Sequence, residues 1–193
     1  MSGRGYTIFD TAIGRCGIAW GDDGIVGVQL PEAREIETRK RLFDLYPDAR
    51  EMRPPLNVEI AIEGMVALLR GEATDLSDVT LDMNGIHAFH ARVYGFTRTI
   101  PRGETRTYGE IAASLRVSGV VHAVAQALAR NPFVIIVPCH RVLEAGGYAD
   151  KISPHGGAIS KRRLLSIEGA RGTTTSKTLF DVLLPVAPPR PQG

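Results

Sequence analysis

Five consecutive apolar residues, Phe133-Val134-Ile135-Ile136-Val137, stand between Asn131-Pro132 and Pro138-Cys139-His140-Arg141-Val142, and this segment constrains the fold more than any other. A run so apolar has to be buried, and it delivers a thiol and an imidazole to the point where the run ends. The run reads as a strand with Cys139 at its end. A free cysteine in such a place is most often a small buried hydrophobe. A cysteine that reacts must instead become a thiolate, and a free-thiol pKa of about 8.5 means that neighbouring groups have to help. His140 and Arg141 are candidates for that help. Adjacent strand residues point to opposite faces, so a direct thiol-imidazole pair is awkward there and a water-mediated relay fits better.

Ahead of this segment the chain alternates between turn chemistry and periodic runs. Tyr6 to Asp10, Cys16 to Trp20 and Gly24 to Leu30 read as three short strands, separated by Ile13-Gly14-Arg15 and by the hairpin signal Gly21-Asp22-Asp23-Gly24. Residues 32 to 46, with Ile36, Leu42, Phe43 and Leu45 among charges, predict a helix, and Asn57 to Leu69 a second. Asp75 to Met83 reads as an extended connection with one short strand. Phe89, Val93, Phe96 and Ile100 recur at helical spacing between Ala88 and Thr99. Residues 108 to 116, a turn at Val117-Ser118-Gly119 and Val120 to Arg130 then suit a helix-turn-helix.

The predicted architecture is an α/β N-terminal domain, a small sheet with helices, over residues 1–84. A mainly helical domain with a helix-turn-helix and an active-site strand or loop follows over 85–170. Residues 171–193 read as a partly disordered tail, in which Leu179-Phe180 and Val182 to Leu184 are able to dock on the body.

A net charge of +2 conceals an asymmetry. Residues 1–86 hold nine Lys/Arg against fifteen Asp/Glu, whereas residues 87–170 hold eleven against five. The half that carries the cysteine motif is therefore the basic one, which is the distribution expected of a protein that neutralises phosphates. Charge alone does not separate this from a solvated surface. Neither a signal peptide nor an apolar run of membrane-spanning length appears, so a cytoplasmic protein without membrane contact is expected. With Cys16 the only cysteine besides Cys139, neither a disulfide framework nor a closed zinc site is expected, and the reading is no metal and no cofactor.

Phe89-His90-Ala91-Arg92-Val93-Tyr94, Ile100 to Glu104, Tyr108-Gly109-Glu110-Ile111-Ala112, Asn131-Pro132, Pro138 to Val142 and Lys161 to Gly169 occur in one order and spacing. In this the chain resembles the O6-alkylguanine-DNA alkyltransferase family, the methylated-DNA-protein-cysteine methyltransferases, over residues 86 to 170. The resemblance implies transfer of an alkyl group from O6 of guanine in double-stranded DNA to Cys139, once per molecule; a monomer is the simpler expectation for a protein that reads one lesion. It assigns His140 and Glu168 to a relay with the cysteine, Tyr108 to a hydroxyl that serves the departing base, and Asn131 to the link between recognition helix and cysteine. It places Val142, Gly156, Gly157 and Lys161 around the guanine pocket, and His122, Ala123, Arg130 and Arg141 on the DNA. It further implies a minor-groove helix whose small residues, Ala123, Ala125 and Ala127, allow close approach while the target base is flipped out.

Taken singly, these residues have plainer readings: a surface carboxylate for Glu168, a strand-end histidine for His140, a core aromatic for Tyr108, a surface lysine for Lys161. Three features also depart from the family pattern. His122 stands where an arginine wedge is usual, and a histidine is shorter and mostly neutral at pH 7. The pocket-closing loop Ala149 to Gly157 lacks the usual aromatic, and Tyr94 replaces a tryptophan, which reads as a packing change. The competing functions are a lesion-recognition protein with weak or no transfer, and a cysteine hydrolase built on Cys139 and His140.

Overall fold

The computed structural model describes residues 4–117, 120–145 and 157–170, with the backbone alone for 157–160. The chain opens with β1 (Gly5–Thr11), β2 (Gly14–Gly21) and β3 (Gly24–Gln29), an antiparallel meander in which Tyr6 faces Ala19 and Ile18 faces Val28. After α1 (Glu35–Leu45) the two-residue β4 (Arg50–Glu51) joins β1 in parallel, giving the order β3-β2-β1-β4. Gly17 allows Leu42 of α1 down onto β2, since a side chain at that position would occupy the space of the Leu42 methyl. Only Leu42 and Thr38 of α1 are buried. Ile36, Phe43 and Leu45 lie exposed, so the apolar residues of this helix do not form one inward stripe.

α2 (Leu56–Leu69) buries Val58, Ala61, Met65, Leu68 and Leu69 in the core. The connection from Asp75 to Met83 is not a strand: it offers one bridge, Leu81 to Ile25, with the Ile25 amide donating to Thr80 O and the Asp82 amide to Ile25 O. The helices of the second half are α3 (Ala88–Arg98), α4 (Tyr108–Ser114), α5 (Val121–Ala129) and α6 (Gly157–Glu168). A two-stranded parallel ladder, β5 (Arg106–Thr107) with β6 (Val142–Leu143), ties the start of α4 to the segment leaving the cysteine. α4 begins where it does because Thr107 and Glu110 form a capping box: Thr107 Oγ1 accepts from the Glu110 amide, and Glu110 Oε2 from the Thr107 amide.

One cluster of buried side chains runs through both halves, from Ile18, Trp20 and Val28 to Val93, Tyr94, Val124 and Phe133. The free edge of β3 is where they join. Its Val28 amide donates to Pro132 O at 2.8 Å and Val28 bridges Phe133, so the N-terminal sheet supports the loop that leads to Cys139. The 146–156 loop, Ser118-Gly119 of the predicted turn and the predicted tail at 171–193 lie outside the described residues.

Candidate active site

The apolar run does not form the expected strand. Ile135 adopts φ +74°, a left-handed conformation that a β-branched residue takes only at a cost of about 1–3 kcal/mol, and the chain turns there. Val137 N donates back to Phe133 O at 2.7 Å, and Cys139 N to Val137 O at 2.8 Å. Asn131, fully buried, closes the loop from inside: its Nδ2 donates to Val137 O at 3.0 Å while its Oδ1 accepts from Phe133 N at 2.9 Å. One side chain thus fixes both ends of the run to the C-terminus of α5. Cys139, His140 and Arg141 then form a 3-10 turn, so the strand-alternation argument against pairing Cys139 with His140 does not apply.

On this turn Cys139 is partly exposed, whereas His140 and Arg141 are buried. His140 Nε2 lies 2.8 Å from Glu168 Oε1, and Glu168 at the end of α6 is only 5 % exposed, which excludes the surface-carboxylate reading. Arg141, expected on the DNA surface, is instead 7 % exposed and faces inward. Its Nε donates to both Glu168 oxygens, at 3.2 and 3.0 Å, its Nη2 to Oε1 at 2.8 Å and its Nη1 to Ile100 O at 2.6 Å. The physical reason for the correction is that a buried carboxylate needs a permanent countercharge, and only arginine supplies one in a fixed fork. The Ile100-Pro101-Arg102-Gly103 segment completes the cradle, with Arg102 Nη2 bonded to Gly71 O and Ile167 O and the Gly103 amide 3.5 Å from Glu168 Oε2.

This arrangement sets the protonation states. Burial would raise the Glu168 carboxyl, but hydrogen bonds from His140 and Arg141 and the charge behind them bring it down to about 2. Burial pushes the His140 imidazole below its usual range, against the pull of Glu168, and Arg141 and Lys161 push in the same direction. Both groups being lowered, Glu168 is ionised while His140 is neutral near pH 7. A neutral imidazole whose Nε2 faces a carboxylate carries its proton there, and Nδ1 keeps the lone pair. That Nδ1 is buried and has no hydrogen-bond partner among the described residues.

Tyr108, the first residue of α4, is largely buried. Lys161 Nζ donates to its hydroxyl at 3.4 Å and lies 5.5 Å from its ring centre. Lys161 is therefore no surface residue; it is 4 % exposed. Val142 is fully buried in β6, Gly157 opens α6, and Gly156 lies outside the described residues.

Along α5, His122, Gln126 and Arg130 recur every four residues on the exposed side, and His122 Nε2 lies 3.0 Å from Gln126 Nε2. Ala123 is half-buried beside them. Ala127, read from the sequence as a small residue facing outward, is fully buried instead. Its carbonyl accepts from the Tyr94 hydroxyl at 2.9 Å. Tyr94 is thus a hydrogen-bonded link between α3 and α5 and more than a change in packing. Residue type alone does not announce that role. The Thr-x-x-Glu pattern at 107 and 110 is by contrast a local signal for the start of α4.

A short helix pair is joined through a buried asparagine to a turn that carries a partly exposed thiol beside a buried cluster of neutral imidazole, carboxylate and guanidinium. Comparison with known proteins gives this arrangement its class. Residues 88–170 match the family model described as 6-O-methylguanine DNA methyltransferase, DNA binding domain. The methylated-DNA-protein-cysteine methyltransferase of Methanothermobacter thermautotrophicus is 34% identical over 153 residues, 79% of this chain and 78% of that protein. The crystal structure of Mycobacterium tuberculosis O6-methylguanine methyltransferase superposes with a TM-score of 0.68 at 34% identity, covering 92% of this chain and 99% of that one. The structure of Mycobacterium tuberculosis OGT in complex with DNA gives 0.65 at 31% identity, over 87% and 94%. This chain belongs to the methylated-DNA-protein-cysteine methyltransferase family. Among its described residues no helix is long and apolar enough to cross a membrane.

Proposed function

We propose that this protein repairs DNA by moving the alkyl group of an O6-alkylguanine onto Sγ of Cys139, once per molecule, acting as a cytoplasmic monomer on double-stranded DNA. The observation that carries the reading is that His140, on the same turn as the partly exposed Cys139, is hydrogen-bonded in the interior to Glu168 of α6. It leaves His140 neutral, with its Nδ1 lone pair ready to take the thiol proton. The thiolate attacks the alkyl carbon, an S–C bond forms as the C–O bond breaks, and the electron pair leaves with the guanine. Tyr108, whose hydroxyl is paired with Lys161, donates a proton to the departing base. The proton surrendered at Cys139 is thereby matched by the one gained at guanine. A thioether does not return to a thiol under these conditions, so each molecule reacts once.

The base has to leave the duplex first, at a cost of a few kcal/mol. The exposed ridge of α5 supplies the contact: Ala123 lets the helix approach, Arg130 takes a phosphate, and His122 enters the space left by the base. Val142, Lys161 and the Gly156-Gly157 backbone shape the guanine pocket. Mass spectrometry of the intact protein, mixed with a duplex holding one O6-methylguanine, tests this. The expected result is a gain of about 14 Da, one CH2, on wild type and none on Cys139→Ser. Specific binding without any gain would replace the reading with that of a lesion-recognition protein.

A further inference from the structure

A cleft of about 390 Å3 lies behind the Glu168 cradle, and neither Cys139 nor Tyr108 lines it. Its walls include the guanidinium-bearing residues Arg98, Arg102 and Arg141, the linker residues Asp75 and Ser77, and the apolar pair Ile135 and Ile136. Three arginines thus face a single lining carboxylate. Arg141 is committed to Glu168. Among the described residues Arg98 uses only Nη2, on the carbonyls of Leu76, Ser77 and Val79, and Arg102 uses only Nη2, on Gly71 and Ile167.

A guanidinium carries five N–H donors, so among the described residues both arginines leave most of theirs without a partner. The Nε atoms of Arg98 and Arg102 are buried with no partner among the described residues. Carbonyl oxygens satisfy hydrogen bonds without cancelling charge. Asp75 accepts from the Ser77 amide at 2.8 Å, and Asp75 and Asp78 act on Arg98 through their charge without a salt bridge to it among the described residues, so no carboxylate occupies its cleft-side donors there.

We propose that this cleft binds a small phosphorylated molecule of mononucleotide size, its phosphate on Arg98 and Arg102 and its apolar body against Ile135 and Ile136. Guanidinium forks suit phosphate oxygens, and the volume is in the range of small-molecule sites. The occupant lies against Arg141, which holds Glu168, so its binding is coupled to the relay at Cys139.

Calorimetric titration and thermal melting of the DNA-free full-length protein, at constant ionic strength, test the proposal with uridine monophosphate, inorganic phosphate and uridine. A pyrimidine nucleotide is chosen so that the guanine pocket does not report. The expected result is saturable binding of uridine monophosphate with a rise in melting temperature, weaker binding of phosphate and none of uridine. Ser77→Glu, an exposed position, places a carboxylate beside Arg98 and weakens nucleotide binding about tenfold or more without lowering the melting temperature of the free protein. Arg98→Gln weakens it as well, and Arg130→Ala on the α5 ridge leaves it unchanged. Absence of saturable binding, equal binding by wild type and Ser77→Glu, or loss of binding in Arg130→Ala would each overturn the assignment.

Discussion

The two cysteines of this chain occupy opposite kinds of surroundings. Cys16 sits in the middle of β2, fully buried, and burial pushes its thiol up to about 12 although Thr11 lies within hydrogen-bond distance. Cys139 sits on a 3-10 turn, partly exposed, beside a histidine oriented by an ionised glutamate. A regular sheet gives a cysteine neighbours that are apolar and alternate in direction. A turn broken out of the ladder gives it backbone and side-chain groups that converge. The proposed chemistry therefore belongs to the place where an apolar segment fails to become a strand.

The sharpest test of that contrast is to remove each thiol in turn. Cys139→Ser abolishes the mass gain with O6-methylguanine duplex, whereas Cys16→Ser keeps full stoichiometry and loses about 1–3 kcal/mol of stability by chemical denaturation, the cost of burying a hydroxyl. A Cys16→Ser protein that folded but did not react would end the comparison.

Next in size is the support behind Cys139. Glu168→Gln leaves the Arg141 guanidinium buried without a countercharge and no longer fixes the His140 tautomer. Stability falls by about 3–5 kcal/mol, and single-turnover transfer slows by roughly a hundredfold or more. The pH dependence follows from the same pair. The folded-state pKa of Glu168, about 2, lies below its unfolded value, so its stabilisation is present above the unfolded carboxylate range and is lost as pH falls toward 2. His140 is also lowered, so the unfolded chain gains protons first, and stability declines as pH drops through the ordinary histidine range. Denaturation midpoints between pH 7 and 3 are expected to fall in wild type and to flatten in their lower part in Glu168→Gln.

Asn131→Ala asks whether the loop keeps its shape without its internal brace. It leaves Val137 O and Phe133 N unpaired in the interior, and a loss of about 2–4 kcal/mol in urea denaturation is expected, with slower transfer. The smallest expected effect lies on the DNA ridge. His122→Arg restores a long cation at the proposed wedge position and raises the transfer rate on duplex DNA, with little change on a single-stranded substrate that needs no flipping. Equal duplex rates for the two proteins would remove His122 from the extrusion step.

The three-stranded meander, α2, α3 and the paired helices α4 and α5 were legible in the sequence to within a few residues. Their signals are local: Gly-Asp-Asp-Gly forces a hairpin, and apolar residues spaced three and four apart need a common face. The run 133–137 misled, because apolar content specifies burial and leaves the backbone path open. The path was decided by Asn131, whose amide bonds 137 on one side and 133 on the other. Arg141 misled for a related reason. A cation in a basic domain reads as a phosphate contact until the location of the nearest buried carboxylate is known.

By itself the sequence determined which residues carry reactive groups, which half is basic, and where helices and hairpins begin and end, since each depends on residue type and short-range spacing. The family resemblance already joined Glu168 to His140; only the tertiary structure decided that Arg141, 27 residues before Glu168, pairs with the same carboxylate and that all three lie in the interior. That meeting cannot be read from spacing, because it arises when α6 packs back against the cysteine turn. A carboxylate excluded from water there persists only where a guanidinium and an imidazole hydrogen-bond to it.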